Sequence, residues 1–177
     1  NYKNELIRCD ATPITLFREE FLTRCIAYNP DAKFIVILRD PVDRAVSHYK
    51  MSRSRGFEKR CMLFAFLLEH FRLRKHLSRG AWPFQSPMRR QSYLSRGLYR
   101  KQISYLKQLV PESQVHVIHQ EDLLRDHQKT LDSVFEFLCL EKCQIPQEIV
   151  FNSDPISSHW TDSIARLYAR CYFKIRN

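Results

Sequence analysis

The chain is poor in glycine and has no long apolar run. Its 177 residues include three glycines, Gly56, Gly80 and Gly97. None of the three follows an apolar strand-like segment, so the sequence holds no glycine-rich loop of the kind that wraps a phosphate. The longest apolar run, around residues 62–68, is much shorter than the roughly 18 residues that would indicate a membrane-spanning helix.

The six cysteines show neither metal-ligand spacing nor a Cys-x-x-Cys pair, so nothing points to a zinc site. They are Cys9, Cys25, Cys61, Cys139, Cys143 and Cys171. Most fall on apolar faces of the predicted elements, and we therefore expect buried free thiols. Free thiols favour a reducing compartment, and the cytoplasm is our expectation for where the protein acts.

Acidic residues are scarce relative to basic ones. Lysine and arginine number 29 and aspartate and glutamate 19, which gives a net charge of +10. Such a charge predicts a polyanionic partner, and it fits a nucleotide cofactor, an acidic glycan, a nucleic acid or an acidic membrane equally well. The length and the 44% hydrophobic content suit one soluble domain, which we expect to span 1–177 and to be incomplete at its N-terminus.

The most informative segment is a strand that runs directly into a helix. Residues 33–38 form a short Ile- and Val-rich run typical of a strand buried on both faces. Asp40 then fits a helix N-cap and Pro41 fits the first helical position. Buried strands here and at 114–119, alternating with helical patterns, predict an α/β domain with a parallel sheet in three layers. A long helix over 57–77 is also predicted.

Such a strand-to-helix junction favours an anion, because free amides and the positive end of the helix dipole face the same crevice. Arg39 stands at the end of the strand, while Arg44 and Ser47 lie three residues apart on one helix face. A guanidinium and a hydroxyl converging at this point suit a phosphate group. Arg39, Ser47 and, less strongly, Arg44 are therefore the candidate binding residues. A final helix is expected to bury one face that carries Trp160, Ile164, Leu167, Tyr168 and Cys171.

The segment Arg39-Asp40-Pro41, with Arg44 and Ser47 in register, resembles the 3′-phosphate-binding motif of sulfotransferases that use 3′-phosphoadenosine 5′-phosphosulfate (PAPS), especially the heparan-sulfate type and its bacterial relatives. The block from Arg96-Gly97-Leu98-Tyr99 through Glu121-Asp122-Leu123 to the helix end at 134–140, VFEFLCL, resembles a later segment of the same family. The resemblance implies a P-loop-kinase-like fold and sulfuryl transfer from PAPS, without a metal, to a hydroxyl or amine of an acceptor such as an acidic glycan or a small molecule.

The chain also departs from the family pattern. The Lys-x-Gly-Thr loop that holds the 5′-phosphosulfate is absent, and Ala11 stands where a lysine is often found. In the family's sheet order the strand carrying that loop would lie between 33–39 and 114–119, so we expect it upstream of Asn1. The family's catalytic base also lies before this region, and His48 is not assigned as the base.

Two other functions stay open at this point. A non-catalytic module that binds heparin or nucleic acid would use the arginines of 53–90 and would show no preference for an adenosine bisphosphate. A kinase of related fold would need a phosphate loop and an acidic magnesium ligand, and neither is evident. If the protein is a eukaryotic glycan sulfotransferase, the Golgi lumen replaces the cytoplasm as the expected compartment.

Overall fold

The computed structural model describes residues 7–77, 86–147 and 161–177. Helices and strands follow one another in the order α1 (Glu19–Tyr28), β1 (Phe34–Leu38), α2 (Pro41–Ser54), α3 (Met62–Leu67), α4 (Glu69–Leu77), α5 (Pro87–Arg90), α6 (Tyr99–Leu109), β2 (Val115–His119), α7 (Gln120–Arg125), α8 (His127–Leu138) and α9 (Thr161–Arg176). Short 3₁₀ turns occupy Ser95–Gly97 and Glu112–Gln114. No described helix is long and apolar enough to cross a bilayer.

Strands β1 and β2 form a parallel pair, which confirms the α/β class. Their register runs from Phe34 opposite Val115 to Leu38 opposite His119. Because the two strands are hydrogen-bonded neighbours, the expectation that a further strand separates them is wrong. The parallel register brings the carboxyl ends of both strands, and the helices that follow them, to the same edge of the sheet.

Helices lie against both faces of the sheet, which agrees with the three-layer prediction. On one face Val36 and Leu38 pack in a cluster with Leu22 of α1 and Leu106 of α6. On the other face α8 lies over β2, where the ring of His116 stacks on a phenylalanine of α8 with centroids 5.1 Å apart. Burial of these apolar side chains is the main contribution to the stability of this layer.

Strand β1 is buried on one face only, so the prediction of a fully buried strand is wrong. Val36 and Leu38 are buried, whereas the alternating Ile35 and Ile37 are 37% and 59% exposed. Among the described helices, α8 covers β2 and leaves the same face of β1 open. The apolar run in the sequence shows only that the residues on both faces of the strand are apolar. The tertiary structure decides which of these residues are buried against a neighbouring element.

A second core lies beside the sheet layer, among α2, α3 and α9. Its centre is a set of aromatic rings in edge-to-face contact, those of Tyr49, Phe66 and Tyr93. Helix α9 faces this core with Ala165, Ala169 and Phe173. The small alanine side chains let α9 approach closely.

The predicted inward face of the last helix is therefore mostly wrong. Of its residues, Tyr168 packs partly buried against this core, and Trp160 lies outside the described residues. Ile164 and Leu167 are 45% and 61% exposed, and Cys171 is exposed as well. All six cysteines are free, as expected, but none of them is buried. The predicted long helix over 57–77 is two helices, α3 and α4, with Leu68 closing the first.

Candidate functional site

The candidate site is built on the junction between β1 and α2. Asp40 caps the helix as predicted, since its Oδ1 accepts a hydrogen bond from the backbone N–H of Asp43 at 2.8 Å. Pro41 follows at the first helical position, where a missing N–H costs nothing. The side chain of Arg39 is therefore placed at the end of the strand, at the entrance to the helix.

The second junction, between β2 and α7, lies beside the first. The backbone N–H of Asp40 donates to Oε1 of Glu121 at 3.3 Å. Two amides at this helix terminus, those of Asp40 and Asp43, are thus already used by carboxylates of the protein. The expectation that several backbone amides are free at this junction is therefore too simple. Binding of an anion here depends mainly on side chains.

Gly97 brings the segment Arg96-Gly97-Leu98-Tyr99 against the same junction. A Cβ at this position would lie 2.7 Å from the ring of Phe173 and 3.2 Å from Cβ of Pro41. Only glycine allows the chain to pass this close to the start of α2. Next to it, burial raises the pKa of Tyr99, against the opposing influence of Arg44 and of the backbone of Arg39. The two motifs that are far apart in sequence therefore meet here.

The three predicted residues have different environments. The side chain of Arg39 is exposed and has no hydrogen bond or ion pair among the described residues. Ser47 is exposed two turns into α2. Arg44, in contrast, is largely buried, and its Nη2 donates to the carbonyl oxygen of Tyr93. Burial lowers the pKa of Arg44, and the nearby Arg39 adds to that shift. Arg39 and Ser47 thus present free groups, while Arg44 is engaged inside the protein.

Sequence reasoning did not include Arg166 at this site. Arg166 of α9 forms an ion pair with Asp43, with Nη1 and Oδ1 2.8 Å apart. Asp43 lies one helical turn before Ser47, so a second guanidinium reaches the exposed face of α2. Basic residues at 166, 170 and 174 form a stripe on α9 that could have been noticed, but only the packing of α9 against α2 shows where it points.

His48 lies near the junction but inside the protein. Burial, together with the adjacent Arg96 and Arg44, lowers the pKa of His48 to about 3. The ring packs edge-on against Tyr93 with centroids 5.0 Å apart. Among the described residues no group of three or more His, Cys, Asp or Glu side chains is arranged to hold a metal ion.

His48 should make the fold sensitive to mild acid. In the unfolded chain its pKa is about 6.5, so below this pH the unfolded state binds a proton that the folded state, with a pKa of about 3, does not. Stability should therefore fall by about 2 kcal/mol from pH 7 to pH 5 because of this residue. Urea denaturation at both pH values should show that His48→Phe removes this part of the difference.

A matched control for His48 is the exposed His70, whose replacement by phenylalanine should leave the wild-type difference between the two pH values in place. Equal pH dependence in wild type and His48→Phe would contradict the assignment. Such a result would mean that the folded state accommodates the protonated ring.

An α/β protein with paired strand-to-helix junctions is the class that this geometry defines. Comparison with known proteins specifies it further. Residues 13–160 match the family model described as the sulfotransferase domain. The chain therefore belongs to the sulfotransferase family, which confirms the resemblance found in the motifs.

Relatives and a solved structure agree with this assignment. Two mouse (Mus musculus) proteins, heparan sulfate glucosamine 3-O-sulfotransferases 3B1 and 3A1, are each 30% identical over 147 residues, or 82% of this chain. That match is 34% of each mouse protein, so the chain spans about a third of their length. The crystal structure of a sulfotransferase from Alicyclobacillus acidocaldarius matches 92% of this chain and 58% of its own, with a TM-score of 0.71 and 24% identity. This last match shows that the fold is shared.

Proposed function

We propose that the protein transfers a sulfuryl group from PAPS to a hydroxyl or amine of an acceptor, and that Arg39 and Ser47 hold the 3′-phosphate of this donor. The observation that carries the proposal is the exposed guanidinium of Arg39, which has no partner among the described residues and lies at a strand-to-helix junction. Membership of the sulfotransferase family supports the reaction class.

The residues present fit a phosphate group. Arg39 offers several N–H donors in one plane, and the hydroxyl of Ser47 adds a donor from α2. Of the acidic groups nearby, Asp40 caps the helix, Asp43 is paired with Arg166, and Glu121 accepts a hydrogen bond from the backbone N–H of Asp40. Their charges are thus partly compensated, and an added dianion would find the positive side chain of Arg39 available. Arg44 has a structural role beside the site, because its guanidinium donates a hydrogen bond to the carbonyl oxygen of Tyr93.

In the reaction class, the bond between sulfur and the bridging oxygen of the donor breaks and a new bond to the acceptor oxygen or nitrogen forms. The acceptor loses its proton to a base, and adenosine 3′,5′-bisphosphate leaves. The donor supplies the sulfuryl group when bound. The role of Arg39 and Ser47 is to fix the nucleotide end, because transfer of this kind depends on positioning and charge stabilisation. The catalytic base is not assigned among the described residues.

We further propose that the acceptor is an acidic glycan. The two mouse relatives are named for heparan sulfate glucosamine, and the net charge of +10 suits a polyanionic chain.

A reducing compartment such as the cytoplasm is proposed on the six free cysteines, with the Golgi lumen as the alternative for a glycan acceptor.

Calorimetry with adenosine 3′,5′-bisphosphate and with 5′-AMP tests the phosphate site. The wild type should prefer the bisphosphate. A hydrogen bond to a charged group contributes roughly 1.5–3 kcal/mol, so Arg39→Ala and Ser47→Ala should each weaken bisphosphate binding by about ten- to a hundredfold. Neither change should alter binding of 5′-AMP, which lacks the 3′-phosphate.

The controls are changes of the same type away from the junction. Arg55→Ala removes an exposed arginine just beyond the far end of α2, and Ser54→Ala removes a hydroxyl from the last residue of that helix. Both should keep the wild-type preference. Equal affinity of the wild type for the two nucleotides would refute the site, and steeply salt-dependent binding of heparin without nucleotide preference would favour a polyanion-binding module instead.

A further inference from the structure

A cavity of about 350 Å³ is lined by residues of α3, α4, α9 and one face of α6. Tyr99 and Ile103 of this helix pack towards the sheet layer, while Leu98, Lys101 and Gln102 line the cavity. Its volume is within the range of about 300–1,000 Å³ that is typical of small-molecule sites. None of the described residues that line the cavity belongs to β1 or α2, although Tyr105 also packs against the sheet cluster.

The inner part of the cavity is apolar. Its floor consists of Phe66, Leu73, Met88 and Leu94, each no more than 5% exposed. The walls are rich in aromatic rings, namely those of Phe17, Tyr105, Tyr168 and Tyr172. Flat apolar groups pack well against such rings in offset or edge-to-face arrangements, so the floor and walls favour an aromatic ligand over a carbohydrate.

The opening of the cavity has a different character, because its exposed lining residues include two cations. Lys101 and Arg176 are both exposed there, together with Glu19 and His70. Nζ of Lys101 is 3.7 Å from a carboxylate oxygen of Glu19, which is a long and solvated pair. The guanidinium of Arg176 lies 5.1 Å from the ring centre of Tyr172. One cationic charge therefore remains uncompensated at the opening.

The buried carboxylate in the wall does not change this balance. Glu69 accepts hydrogen bonds from the backbone N–H of Leu94 at 2.6 Å and from the backbone N–H and hydroxyl of Ser95 at 2.8 and 2.7 Å. These donors satisfy the carboxylate from inside the protein. The charge of Glu69 is offset by the nearby guanidinium groups of Arg44 and Arg96, and the cations at the opening stay available to a ligand.

We propose that this cavity is a binding site for a small aromatic monoanion, with its ring among the aromatic walls and its anionic group at Lys101 and Arg176. The inference does not depend on the proposed sulfuryl transfer. It assigns a second ligand site whose lining suits neither a nucleotide phosphate chain nor a polyanionic glycan, since the apolar floor offers such groups no donors.

The experiment measures binding of 2-naphthoate and of its neutral analogue naphthalene-2-methanol by calorimetry. The wild type should bind 2-naphthoate saturably, with a Kd below about 1 mM, and should bind the neutral analogue several-fold more weakly. Leu98→Trp places an indole in the cavity and should weaken 2-naphthoate at least tenfold. Leu109→Trp, at a partly exposed position at the end of the same helix and outside the cavity, should leave binding unchanged.

Charge variants test the second half of the proposal. Lys101→Gln and Arg176→Gln should each reduce the preference for 2-naphthoate over the neutral analogue, whereas Lys107→Gln, elsewhere on α6, should not. No saturable binding in the wild type, or binding that Leu98→Trp leaves intact, would overturn the cavity as a site. Equal affinity for the two naphthalene compounds would overturn the anionic class. Competition by adenosine 3′,5′-bisphosphate would overturn the separation from the β1–α2 junction.

Discussion

Replacing Glu58 with glutamine should lower the free energy of unfolding by about 3–5 kcal/mol. The Glu58 side chain is fully buried, and its carboxylate receives a 2.6 Å hydrogen bond from Nη1 of Arg72, whose own side chain is 15% exposed. The backbone N–H groups of Lys59 and Arg60 also donate to it at 3.1 Å, and the hydroxyl of Tyr93 donates at 3.2 Å. Glutamine keeps the shape but leaves the mostly buried Arg72 without a counter-charge.

The same network gives Glu58 a defined pH dependence. Burial alone would raise the pKa of its carboxyl group, but the hydrogen bonds from Arg72 and from the Arg60 backbone outweigh burial, and the net effect is a lowered pKa. The contribution of Glu58 is therefore fully present above the unfolded pKa of about 4.3 and is lost as the pH falls through the lowered folded value. The glutamine variant should lack this acid-dependent loss.

Urea denaturation of wild type and Glu58→Gln at neutral pH measures the effect. The matched control is Glu112→Gln, which removes an exposed carboxylate paired with Lys107 and should have little measurable effect, because water replaces the lost partner. A Glu58→Gln variant as stable as the control would show that Arg72 is solvated when its partner is removed.

Gly97→Val should lower stability by about 3 kcal/mol, the upper end of what overpacking usually costs. Valine would push its Cβ against the ring of Phe173 and against Pro41, which stand 2.7 and 3.2 Å from that position. Both neighbours are held in place. Phe173 of α9 is buried in the second core, and Pro41 occupies the first position of α2. The displacement of Pro41 should also weaken binding of adenosine 3′,5′-bisphosphate, if the junction is the phosphate site.

Thermal and urea unfolding of Gly97→Val should be compared with Ser104→Val, an exposed replacement on α6 that should change stability by less than about 0.5 kcal/mol, because serine and valine have similar helix propensities. Gly97→Ala should lie between the two, at about 1–2 kcal/mol. A valine variant no less stable than Ser104→Val would mean that α9 shifts freely, and the close approach would then not explain the glycine.

The strand-to-helix junction was readable from the sequence because its signals are local. A short Ile- and Val-rich run, followed by Asp40 and Pro41, specifies a strand end, a cap and a first helical turn within a few residues. The motif residues Arg39 and Ser47 were identified on the same segment. Their role as phosphate ligands stays a prediction, which the nucleotide-binding experiment tests.

Other features depended on contacts that no local pattern encodes. The last helix carries two apolar faces, and the alanine face was buried in preference to the face with Ile164 and Leu167, because small side chains allow closer helix packing. Arg44 has the sequence position of a binding residue, yet its guanidinium turns to the carbonyl group of Tyr93. Arg166 reaches Asp43 only because α9 packs on α2.

The sequence by itself determined the α/β class, the position of the β1–α2 junction and the family, since each rests on periodicity, capping or a motif of fixed spacing. The tertiary structure alone decided that β1 and β2 are direct neighbours, that Ile35 and Ile37 stay exposed, and that Gly97 meets the start of α2. The physical reason is that local patterns fix backbone conformation, whereas burial and proximity are set by which elements pack together, and several packings satisfy the same apolar pattern.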